Sequence, residues 1–317
     1  MLLRHGLPEN AEIRALAVHP EDDAQMFAAT QAGPYRSGDG GESWTSMHLP
    51  TEEITWSLLL HPQKSNVLLC GTVDNGVFRT DDGGGHWRQL DYALPPAVCV
   101  MGFPTRVIGL AMDPGNPDEM YVALEVGGLV RSLDGGRSWT DINAGLLEFT
   151  GQAAYRSRIG SDTDTEGMMD SHALAISPAA PGTVFLANRM GLFVSEDKGE
   201  SWRDLDIGAF SPITYARDVI VSPHAPETLF AAISKAAVSD AGSLYRSDDS
   251  GATWRRFDHG VSMASTLMCV ATTGRTDQRI YCAARRGQVF GTEDGGSTWS
   301  EYSLPPGVEG VYAIACP

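Results

Sequence analysis

His172 is the side chain in this sequence best suited to move a proton near neutral pH. Asp170 stands two residues before it and shares its face if residue 170 is extended. This pair is the candidate catalytic acid/base. Cations cluster in the same register. Polar-Pro corners recur at His19-Pro20, His61-Pro62, Asp113-Pro114, Ser177-Pro178 and Ser222-Pro223. Five residues before each corner, and at the matching place near residue 268, stand Arg14, Trp56, Ile108, His172, Arg217 and Met268. Positions three and one before the corner are apolar, as in Leu16 and Val18, so polar residues at this level break the pattern as a binding site would. A solvated strand start is the competing reading.

Equivalent turns add Glu125, Arg189 and Arg285, and loops add Arg106, Arg156 and Arg158. Guanidinium forks grip carboxylate, sulfate or phosphate through paired N–H donors. The ligand-binding set is therefore Arg14, Trp56, Arg106, Glu125, Arg189, Arg217 and Arg285, and the expected ligand is small and anionic or glycan-like. No Gly-x-Ser-x-Gly, His-Glu-x-x-His or phosphate-cradling loop is present. Asp162, Asp164 and Glu166 resemble the first half of a calcium loop, but Ala173 stands where a bidentate acid is required. No metal or cofactor is expected, calcium being the weak alternative.

The elements that position these residues are announced by an octapeptide, Ser/Thr-x-Asp-x-Gly-x-x-Trp. It occurs six times, at Ser37–Trp44, Thr80–Trp87, Ser132–Trp139, Ser195–Trp202, Ser247–Trp254 and Thr292–Trp299. Successive copies begin 43, 52, 63, 52 and 45 residues apart, a period that signals one supersecondary unit per copy. Its third and eighth positions, Asp39 and Trp44, Asp82 and Trp87, Asp134 and Trp139, Asp197 and Trp202, Asp249 and Trp254, Asp294 and Trp299, are read as structural. The glycine permits a positive φ, the Asp and hydroxyl oxygens bond nearby amides, and the Trp covers the turn.

The octapeptide resembles the Asp-box, or BNR repeat, of sialidase-like glycoside hydrolases, sortilin-type receptor domains and a photosystem II assembly factor. That resemblance implies a β-propeller with one box between the third and fourth strands of each blade, on the face opposite the usual ligand site. It would gather the cations at the mouth of a channel. Arg14, Arg217 and Arg285 are similar in kind to the three arginines with which sialidases hold a carboxylate. The Arg-Ile-Pro sequence of sialidases is absent, and no tyrosine–glutamate pair can be assigned.

The expected fold is all-β, a single propeller domain over residues 1–317 with six four-stranded blades, or seven if an end or the long insertion adds strands. Inner strands are expected at 13–19, 55–60, 107–112, 172–176, 217–221 and 268–272, with 311–316 resembling a seventh. The net charge of −17 argues against nucleic acid and anionic membranes as partners. No apolar run spans a membrane, the first residues lack a signal-peptide core, and five cysteines form no CxxC pair, so a cytoplasmic protein is expected. Two functions follow. One is a propeller that binds, or as a glycosidase-like hydrolase or lyase cleaves, a small anionic or carbohydrate ligand. The other is a non-catalytic scaffold for a protein partner.

Overall fold

The computed structural model describes residues 4–96, 103–155, 169–274, 276, 278–305, 308 and 310–316. It contains six four-stranded antiparallel sheets, each with its strands in sequence order. The first strand of each sheet runs Ile13–His19, Thr55–Leu60, Val107–Met112, Ser171–Ile176, Tyr215–Val221 and Leu267–Thr272. These bounds agree with the sequence reading to within two residues. Only two helices interrupt the pattern among the described residues, Ala144–Thr150 and Ile207–Phe210, both in the long connections between sheets. Residues 311–316 form no strand, which corrects the expectation of a seventh inner strand there. Val311 N–H donates to the Arg285 carbonyl at 3.3 Å, a contact that does not by itself make a ladder.

The chain divides into two compact units, one ending at Ile142 and one running Asn143–Cys316, with three sheets in each. Within each unit the middle strands are buried on both faces, and they read as continuous small and apolar runs such as Met120–Leu124 and Leu229–Ser234. Leu69, Val77, Leu90, Val107, Val122 and Val130 fill the space between the second and third sheets. Phe185, Leu192, Val219, Ile233 and Tyr245 do so between the fourth and fifth. Burial on this scale, at roughly 25 cal/mol per Å² of apolar surface, holds the sheets face to face. Gly71 marks the closest approach. A Cβ there would sit 2.3 Å from Ser57 Oγ and 2.5 Å from a Val107 methyl, so any side chain would push two sheets apart.

Each octapeptide closes the turn between the third and fourth strands. In the first copy, Ser37 Oγ donates to Asp39 Oδ1 at 2.7 Å and accepts the Gly41 amide at 2.8 Å. Asp39 then accepts the Ser43 amide at 2.9 Å and the Ser43 hydroxyl at 2.5 Å. The same bonds recur in the other five copies, with His86 Nδ1 replacing the hydroxyl in the second. The seventh position is thus a ligand of the Asp, a role the sequence reading did not give it. The fourth and fifth positions both adopt positive φ, as at Gly40 (71°) and Gly41 (90°), and Lys198 (63°) and Ser250 (56°) bear that conformation without being glycine. Trp139 and Trp254 fold back over their own turns, each indole N–H donating to the carbonyl of the fifth position.

Candidate functional site

Every inner strand carries a β-bulge, and the bulge falls at the same place in all six. The pairing register skips Arg14 between Ile13 and Ala15, Trp56 between Thr55 and Ser57, and Ile108 between Val107 and Gly109. It skips His172, Arg217 and Met268 in the other three sheets. These are the six residues that stand five before the corner. Counting by twos from the apolar positions therefore fails to give their direction, because the extra residue shifts the register by one. A bulge re-aims a side chain and increases local twist, which is why such features gather beside functional sites.

In the first unit two of the bulged residues, Arg14 and Trp56, are in contact. The Trp56 ring lies under two guanidiniums, that of Arg14 at 4.7 Å and that of Arg106 at 3.9 Å. Arg106 grips Glu125 with two bonds of 2.6 and 2.5 Å, and Arg14 is ion-paired with Glu12. Charge is balanced by carboxylates here, and the indole face is covered by cations.

The second unit is arranged differently. The His172 side chain is only 1% exposed. Its Nδ1 lies 2.6 Å from the Ala216 carbonyl oxygen, so that nitrogen carries a proton. Nε2 faces the Tyr215 hydroxyl at 2.9 Å and Asp170 Oδ2 at 3.4 Å. Tyr215 is not among the candidate residues drawn from the sequence. It proves to be His172's partner from the neighbouring sheet, a long-range contact with no local signature. Burial pushes the Tyr215 hydroxyl up to about 12. Burial would also raise Asp170, but the His172 ring when it is protonated, with the guanidiniums of Arg217 and Arg189, outweighs it and holds the carboxyl below the usual range. Arg217 is half-buried, and among the described residues it forms no ion pair within 4 Å.

Arg285 lies in the same unit, its guanidinium donating to the Ala237 carbonyl at 2.9 Å. Arg156, Arg158 and the calcium-loop residues Asp162, Asp164 and Glu166 lie outside the described residues. No group of three or more His, Cys, Asp or Glu side chains suited to a metal occurs among the described residues. Outside this cluster Asp218 is held above the ordinary range, near 6, by burial. It accepts the amides of Val219 and Val270 at 2.9 Å each, so it ties the fifth sheet to the sixth.

No family model matches the chain. Among curated proteins, a xyloglucanase from Paenibacillus sp. is 23% identical over 273 residues, covering 85% of this chain and 24% of that protein. An oligoxyloglucan-reducing end-specific xyloglucanase from Emericella nidulans is 24% identical over 210 residues, covering 62% and 23%. The chain thus spans about a quarter of these relatives' length. Among solved structures, the GH74 xyloglucanase from Xanthomonas campestris superposes with a TM-score of 0.68 at 17% identity, over 92% of this chain and 45% of that one. YCF48 from Cyanidioschyzon merolae gives 0.61 at 14% identity, over 96% and 88%. YCF48 bound to D1 peptide gives 0.59 at 17%, over 93% and 82%. The chain is a six-bladed β-propeller. At these identities the likeness speaks for the fold of the propeller, and its chemistry must be argued from its own residues.

Proposed function

We propose that this propeller is a binding protein for a small anionic ligand, held at Arg217 beside Asp170, His172 and Tyr215. The observation that carries the reading is the state of Arg217. Arg14 and Arg106 have their carboxylates supplied by Glu12 and Glu125, whereas Arg217 is half-buried on a bulge with no ion pair within 4 Å among the described residues. A guanidinium partly removed from water gains most from a bidentate anion.

The same geometry favours binding over cleavage. A general base must reach the proton that it takes from a substrate, but both nitrogens of His172 face protein groups, the Ala216 carbonyl and the Tyr215 hydroxyl, which leaves neither open to a substrate atom. Asp170, held below the usual carboxylate range, is a poor acid. The pair singled out for catalysis is therefore given a positioning role. Trp56, its ring covered by guanidiniums, is a weak platform for a sugar.

The test is thermal unfolding in the presence of carboxylates, sugar acids, sugar phosphates and sulfate. A ligand at a hundred times its Kd stabilises by about 2.7 kcal/mol, and Arg217→Ala should abolish the shift. Release of reducing ends from xyloglucan by the purified chain would overturn the non-catalytic reading.

A peptide-binding scaffold is the second reading. It is supported by the likeness in fold to YCF48 bound to D1 peptide, which covers 93% of this chain. Binding of peptides with no response to small anions would support it.

A further inference from the structure

The contacts of His172 hold a second property, which rests on the anion-binding reading of Arg217. His172 Nδ1–H is fixed on the Ala216 carbonyl, so the ring changes protonation only at Nε2. That atom has two neighbours with opposite requirements. The Tyr215 hydroxyl at 2.9 Å can donate to a bare Nε2, whereas the Asp170 carboxylate at 3.4 Å can only accept from a protonated one. We infer that Asp170, His172 and Tyr215 form a positioning device that couples anion binding at Arg217 to uptake of one proton on His172 Nε2.

With Nε2 bare, Tyr215 donates to it, and the lone pair faces a carboxylate that it cannot bond. The Asp170 charge then acts on Arg217 and Arg189 and opposes any anion approaching them. Adding the proton reverses both contacts. Nε2–H turns to Asp170, the imidazolium and carboxylate cancel, and the Tyr215 O–H rotates away from the ring, keeping its proton. A bound anion meets the two arginines without the opposing carboxylate. The balance is simple: one proton enters from solvent with each anion bound from the neutral-ring state, and no bond other than N–H is made.

Among the described residues, the charged and titratable groups around His172 and Asp170 are Arg189, Tyr215 and Arg217. Asp170 precedes its own strand, Arg189 follows the next strand of the same sheet, and Tyr215 and Arg217 come from the fifth sheet. Arginine stays charged throughout, and Tyr215 is pushed up to about 12, so neither changes state between about pH 5 and 8.

Sulfate is the probe, because its charge is constant over that range. Its affinity should be measured by calorimetry from acid to neutral pH, in two buffers of different ionisation enthalpy. The expected result is binding that tightens about fivefold or more as pH falls, with proton uptake seen as a buffer-dependent heat. His172→Gln should still bind sulfate with no pH slope and no proton uptake, because an amide can donate to Ala216 and accept from Tyr215 without titrating. Asp170→Asn should flatten the slope too. Sulfate binding that is lost in Arg217→Ala but flat with pH would overturn the coupling and leave the anion site standing. No sulfate binding by the parent chain would remove both. A pH slope kept in His172→Gln would assign the proton elsewhere and overturn the inference.

Discussion

The Nδ1 of His172 lies 2.6 Å from the carbonyl oxygen of Ala216, joining the bulged residue of one inner strand to the backbone just before the bulge of the next. The bond does structural work whatever the ligand. His172→Ala leaves a buried carbonyl and the Tyr215 hydroxyl without their partner, and opens a void where a nearly inaccessible ring stood. The expected loss is about 2–4 kcal/mol, read by denaturant unfolding. His172→Gln should recover most of it.

Asp218 gives a pH dependence of opposite sense to ordinary acid unfolding. Burial raises its carboxyl from 3.8 to about 6 in the fold, so the native state holds a proton that the unfolded chain has released. Stability therefore declines as pH rises from about 4 to about 6, by on the order of 3 kcal/mol at most, and is level above. Asp218→Asn should remove that slope. It should also lower the plateau, because the amide nitrogen cannot accept one of the two N–H groups that the carboxylate accepts. Unfolding midpoints across that pH range, in parent and variant, provide the check.

Trp56 and Arg106 should show direct coupling. The guanidinium carbon lies 3.9 Å from the ring centroid while its N–H groups are held by Glu125, so losing the ring removes a cation–π contact but leaves the ion pair. A double-mutant cycle with Trp56→Leu and Arg106→Gln should return about 0.5–1 kcal/mol. A value near zero would mean that the stack is geometric only.

What could be read from residues alone was what is local. The octapeptide's bonds close within eight residues, so its Asp, glycine and Trp positions announced themselves, and the inner strands followed from the spacing to the Pro corners. The bulges were not readable, because a bulge is a mismatch with a partner strand, and the sequence of Ile13–His19 does not contain its register against Asp22–Thr30. The six positions stood out by composition while their orientation stayed hidden. Two contacts carry the contrast between the units: Tyr215 on His172, 43 residues apart, and Arg106 on Glu125, 19 residues apart. The first joins two different sheets; the second falls at a 19-residue spacing that also pairs backbone at Ile54–Val73, Asp170–Arg189 and Thr266–Arg285, so the position repeats while the residue types that fill it do not. The seventh octapeptide position was the one local feature missed, its Ser, Thr and His sharing no single identity but each offering a hydrogen to the Asp.

The octapeptide carboxylates set the acid limit of the fold. Hydrogen bonds from the Ser43 hydroxyl and amide, joined by the Ser37 hydroxyl, hold Asp39 down at about 2, and Thr298 with Thr292 does the same for Asp294. The other four are lowered as well. A depressed carboxylate adds stability that is complete above the unfolded value near 3.8 and drains away as pH falls through the folded value near 2. The contributions repeat in six turns, so the loss should be steep below about pH 4. These side chains lie at the surface, where water and salt weaken each bond, so one substitution should shift the curve modestly and several together should shift it more. Ser43→Ala, which deletes the hydroxyl donor but keeps the amide bond, should move the acid-unfolding midpoint to higher pH. Combining it with Ser201→Ala and Thr298→Val should move it further, with little change at neutral pH relative to that shift. Circular dichroism followed from pH 5 downward measures this, and coincident acid curves for the parent and triple variant would show that the turn carboxylates do not control acid stability.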